Sequence, residues 1–153
     1  MNRSGTPKVM GILMIIFACL GLLTTFASFG GQDVSELGPE WQEKFSSVNT
    51  YLTILSVVGL ALGVLHLLAG IAAVGYKKNA PKLAKLYGIT ALANVVIGMV
   101  VTYALLKPLL EEMPGLGSAV GGMVIVVSLI GAVWPILVLA LMGGAKSKAA
   151  CTN

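Results

Sequence analysis

The single histidine of the chain, His66, stands inside a stretch without a charged residue, 45–76. A buried imidazole can hold a metal or macrocycle through a ring nitrogen, sense pH, or simply hydrogen-bond across a packed interface. On a helix His66 shares one face with Gly59, Gly63, Gly70 and Ala73, at successive spacings of four, three, four and three. Gly59 and Gly63 form a G-x-x-x-G, which lets a second backbone approach closely. Two readings compete. In the packing reading His66 is a neutral imidazole hydrogen-bonded across a close helix contact, worth about 0.6–2 kcal/mol. In the ligand reading it is an axial ligand to haem or chlorophyll, or a pore-facing pH sensor. A glycine-lined face leaves room for a flat macrocycle, but one histidine cannot clamp a haem from both sides within one protomer. The packing reading leads.

Asn94 is the expected partner of His66. It lies at a similar depth of the next apolar stretch, on a stripe with Tyr87, Ala91, Gly98 and Thr102. Ala18, Gly21, Thr25 and Ser28 make a comparable small-residue stripe near the start of the chain, and Gly121, Ser128, Ala132 and Pro135 another near its end. Tight packing explains these faces, with Gly59, Gly63, Gly70, Gly98 and Gly121 as the contact glycines. A narrow pore lined by Ser28, His66, Asn94, Thr102 and Ser128, or a seam between protomers, would carry the same pattern.

Other chemistry lacks the residues it needs. No Asp, Glu, Lys or Arg falls within the apolar stretches, whereas proton-coupled pumps and cation exporters use a buried carboxylate. Metal hydrolases need clustered His and carboxylate, so no metal site and no catalytic residue is assigned. Cys19 and Cys151 sit at different depths and form no C-x-x-C. The chain reads as a non-enzyme.

These residues must be positioned by helices in a bilayer. Of 153 residues, 57% are hydrophobic and only 10% are charged, with a mean hydropathy of +0.93. A soluble domain carries about 25% charge. Four runs carry no charge: 9–32, 45–76, 86–106 and 113–145. Each can cross about 30 Å of hydrocarbon at 1.5 Å per residue. Runs such as Met123-Val-Ile-Val-Val do not alternate as barrel strands do. The expected fold is therefore all-α, a single domain forming a four-transmembrane-helix antiparallel bundle with spans at 9–30, 51–76, 86–106 and 118–142.

Charge outside the spans sets the orientation. Arg3, Lys8, Lys77, Lys78, Lys82, Lys85, Lys146 and Lys148 would gather at one end with no acid among them. Asp33, Glu36, Glu40, Glu43, Glu111 and Glu112 would gather at the other, with Lys44 and Lys107. Basic residues resist translocation, so both termini are expected in the cytoplasm, at a bacterial inner membrane. The net charge of +4 is then a topology signal with some attraction to anionic lipid, and no nucleic-acid partner is implied.

The first apolar run exceeds the 7–15 residues of a signal-peptide core, which favours an uncleaved span. An amphipathic external loop is expected over 31–49, with Pro39-Glu40 as a helix start. Asn79-Ala80-Pro81 marks a stop and restart, Pro135 is expected to kink the last span, and the tail 144–153 is expected to be disordered. The leading functional expectation is an assembly or accessory subunit, as a homo-oligomer or part of a larger membrane complex, joined through its glycine-rich faces. A passive channel or small-solute conduit is the alternative, and a haem- or pigment-binding subunit the third.

Overall fold

A computed structural model describes residues 5–28, 39–111 and 117–151. Its elements are α1 (Thr6–Ser28), α2 (Pro39–Val74), α3 (Ala80–Glu111), α4 (Gly117–Gly143) and the short α5 (Ala145–Ala150). The segments Thr6–Phe26, Val48–Val74, Ala80–Leu105 and Gly122–Gly143 are long and apolar enough to cross a membrane, with mean hydropathies of 2.5, 2.4, 1.9 and 2.8. The all-α four-span expectation therefore holds.

α1, α2 and α3 begin earlier than their charge-free stretches and α3 also runs further, whereas α4 lies within its own. α2 has 36 residues and starts at Pro39, so the latter part of the expected external loop continues the second span as helix. At 1.5 Å per residue it is about 54 Å long, well beyond the hydrocarbon thickness. Residues 31–38 of that loop lie outside the described residues. So do Glu112 and the side chains of Glu40, Glu43 and Glu111, which belong to the acidic group expected at that end.

Between α2 and α3 the chain turns within five residues. The amide of Lys77 donates to the Ala72 carbonyl at 2.9 Å and that of Tyr76 to Ala73 at 3.1 Å. This six-to-one and five-to-two pair is a Schellman ending, with Tyr76 at φ 52° where glycine is usual. Pro81 falls in the first turn of α3, where its missing N–H costs nothing.

α1 packs along α2, α2 against α3, and α3 along α4, while α1 and α4 only graze. The α1–α2 contact is closest at Gly11 and Gly70. A Cβ on Gly11 would stand 2.7 Å from the Gly70 carbonyl oxygen, and one on Gly70 would stand 2.9 Å from that of Gly11. No larger side chain fits there without parting the helices.

Burial is uneven along the bundle. Met14, Ala69, Ala73, Ala80, Ala84, Val138 and Met142 are wholly shielded, and all lie in the half that carries the termini. Among the described residues none is buried beyond Ala18 on α1, before His66 on α2, beyond Ala91 on α3 or before Pro135 on α4. One half is packed and the other is splayed.

The expected disorder of the tail is corrected. Gly144 adopts an extended conformation that ends α4, and α5 folds back beneath the packed half. The Ser147 hydroxyl donates to the Leu141 carbonyl at 2.6 Å, meeting one of the acceptors that a helix end leaves unpaired. Ala150 and Cys151 are buried, and Cys151 joins Met10 and Met142 in the core. Small residues at 145, 147, 149 and 150 let the tail lie close, which a charge count alone does not reveal.

Two outcomes are expected. Gly70→Val should destabilise the protein by about 1–3 kcal/mol through overpacking, read as a lower thermal midpoint in detergent. Gly122→Ala, where an added Cβ meets nothing within 4 Å, should be neutral. Burial also pushes the Cys151 thiol above its ordinary value, so less thiolate exists at a given pH. In a Cys19→Ala background, maleimide labelling of Cys151 should be slower than that of a free peptide thiol. Its rate should rise only at higher pH, and it should reach the peptide rate on denaturation.

Candidate functional site

Four aromatic rings, one from each long helix, meet at the boundary between the packed and splayed halves. They are Phe17 on α1, His66 on α2, Tyr87 on α3 and Trp134 on α4. Counting along each helix from the end nearest the termini places all four roughly 10–17 Å in, which is why they share one level. The His66 and Tyr87 rings stack, with centroids 4.0 Å apart and planes within 8°. Phe17 meets Trp134 at 4.5 Å with planes tilted by 54°. The Trp134 Nε1–H donates to His66 Nε2 at 3.1 Å.

That hydrogen bond corrects the expected pairing of His66 with Asn94. Indole N–H is only a donor, so Nε2 accepts and carries no proton, leaving a neutral imidazole. The partner comes from α4 instead of α3. Trp134 is the functional residue that sequence reasoning missed. A signal existed: tryptophan usually sits at the membrane interface, and one placed deep in a span must find an acceptor for its N–H.

Above this floor the helices diverge around a cavity of about 340 Å³. His66, Tyr87 and Trp134 form one end of its wall; Thr25, Gly59, Asn94 and Gly131 lie further toward the splayed half. Pro135 also lines it. Having no N–H, Pro135 leaves the Gly131 carbonyl without its usual helical donor. Gly21 faces the void, since an added Cβ would meet nothing within 4 Å. The Asn94 side chain is part-exposed and makes no hydrogen bond among the described residues.

The other expected residues are only partly gathered. Thr102 and Ser128 are half-buried and lie outside the cavity lining. The side chain of Ser28 and the surroundings of Gly121 are outside what the structure describes. Several span hydroxyls are satisfied by their own helix: Thr25 donates to Gly21 at 2.8 Å, Ser56 to Leu52 at 2.9 Å and Thr90 to Leu86 at 2.8 Å. The contact glycines fare better as packing residues. Gly63 faces Leu22, Gly59 faces Thr25, and the Gly98 carbonyl accepts from the Tyr51 hydroxyl at 3.2 Å. The glycine face of α2 is therefore occupied by α1 within the chain, which corrects its expected use as a surface for oligomerisation. Gly11 and Gly88, the latter against Leu139, are close contacts outside the expected set.

The residues present do not fit a haem or chlorophyll. Nε2 is engaged by Trp134, and Tyr87 covers one face of the imidazole, so axial ligation through Nε2 would require breaking the ring cluster. Among the described residues no group of three or more His, Cys, Asp and Glu could hold a metal ion.

A double-mutant cycle tests the site. The pair His66→Leu and Trp134→Phe should show a coupling of about 0.6–2 kcal/mol in detergent stability, whereas His66→Leu with Asn94→Leu should be additive. Coupling to Asn94 instead would restore the pairing first expected. The chain matches no family model, and the comparisons with curated proteins and solved structures found no match, so its function is argued from this geometry.

Proposed function

We propose that the protein is a non-enzymatic membrane subunit that works by assembly, with copies of itself or within a larger membrane complex. The observation that carries this is Asn94. A carboxamide in hydrocarbon is costly until it is hydrogen-bonded, and asparagine joins transmembrane helices for that reason. Here Asn94 lines the cavity and has no hydrogen-bond partner among the described residues. The Gly131 carbonyl freed by Pro135 lines the same cavity. A helix from a second chain could supply donors and acceptors to both.

The closed floor favours this over the conduit. Below His66, Tyr87 and Trp134 lie Met14, Ala69 and Val138, all wholly buried, so the described residues close the bundle at that level. The clustering of seven described basic residues, Lys8, Lys77, Lys78, Lys82, Lys85, Lys146 and Lys148, at the end carrying the termini supports a cytoplasmic position for that end, with the cavity opening toward the opposite face.

Native mass measurement after gentle extraction tests the reading. Wild-type protein is expected in a particle larger than one 15.8 kDa chain plus detergent, and Asn94→Leu should shift it toward the single chain. A wild-type particle that is strictly monomeric and without partners would overturn it.

A further inference from the structure

A second concavity lies at the other end of the bundle and owes nothing to the aromatic floor. It has a volume of about 770 Å³ where the start of α3, the end of α4 and α5 meet. Lys78, Lys82, Lys85 and Lys148 line it, with Leu139 and Gly143 on the α4 side. Lys82 and Lys85, three apart, share a face of the first turns of α3, and Lys78 joins them from the turn that precedes the helix. Lys148 comes from α5 and reaches the same space only because the tail is folded back. Among the described residues no carboxylate lines the concavity, and none of the four ammonium groups has an ion-pair partner.

Four like charges around one hollow repel one another unless an anion sits between them. The depth of the hollow narrows the choice of anion. The apolar segments Ala80–Leu105 and Gly122–Gly143 both end here, so Lys82 and Lys85 stand at the level of lipid phosphates, with Leu139 one turn deeper. A free phosphate would use the ammonium groups and leave Leu139 idle. A phospholipid uses both, placing its phosphate among the lysines and its first acyl carbons against Leu139. Basic pockets between transmembrane helices suit headgroups of this kind, and four cations match two phosphates better than one. We propose that this pocket is a binding site for an anionic phospholipid carrying two phosphate groups. The docked tail helix completes the site by supplying Lys148.

The test uses full-length protein stripped of lipid in a neutral detergent, with adducts counted by native mass spectrometry as cardiolipin is added. Separate arms add phosphatidylcholine and inorganic phosphate. Cardiolipin adducts should form at concentrations where neither comparison compound binds. At about five-fold per lysine, Lys82→Gln with Lys148→Gln should weaken cardiolipin binding by roughly 25-fold. Lys77→Gln with Lys146→Gln removes the same net charge outside the pocket and should change it little. The lipid-free thermal midpoint reports whether each pair still folds, and the wild-type comparison of cardiolipin with phosphatidylcholine stands without any variant. Equal loss in both pairs, equal binding of phosphatidylcholine, binding of inorganic phosphate alone, or no cardiolipin adduct would overturn the site. None of these outcomes bears on whether the protein assembles through Asn94.

Discussion

The backbone contact between Gly11 and Gly70 sets the geometry of the whole bundle. In lipid there is no hydrophobic drive between helices, so close approach and dispersion must hold them together. Two glycines let α1 and α2 approach so closely, near the end that carries the termini, that a Cβ on either would stand within 2.9 Å of the other's carbonyl oxygen. Further along the same pair, Leu22 and Thr25 stand opposite Gly63 and Gly59. Helices pinned close at one end and spaced by side chains at the other must diverge. The packed half, the splayed half and the cavity between them follow from that single difference in spacing.

The aromatic cluster sits where this divergence begins. It ties the grazing pair α1 and α4 through Phe17 and Trp134, and links α2 to both α3 and α4 through His66. Its rings are large enough to close the gap that the small residues below them do not need to fill. A polar residue is tolerated there because its Nε2 accepts the indole N–H of Trp134 and one face of its ring is covered by Tyr87. Asn94, one level further out, has no such arrangement.

The spans could be read from the chain with little ambiguity because charge is so costly in hydrocarbon that its absence delimits each one. The α2–α3 restart at Asn79-Ala80-Pro81 was equally visible, since proline suits only the first turn. Packing glycines were half visible. Gly59, Gly63 and Gly70 announce themselves by their shared face, but Gly11 and Gly88 are isolated in sequence and acquire meaning only from what lies opposite. The tail was misjudged because its polarity resembles a disordered segment, while its small residues and the Ser147 hydroxyl let it seal the bundle end.

Composition and the placement of charge decide, on their own, that this is an all-α chain with four helices able to cross a membrane, because solvation in lipid acts on each segment separately. They also decide which residues share a face, since the helical repeat is local. Which face meets which neighbour is not local. His66 could have turned toward Asn94 on α3 or Trp134 on α4, and helical spacing is silent between them. Rotation and vertical offset between helices are fixed by the contacts of all four at once, beginning at Gly11 and Gly70. The same holds for the lysines, which are scattered over seventy residues of sequence and become one pocket only when α5 folds back beside α3.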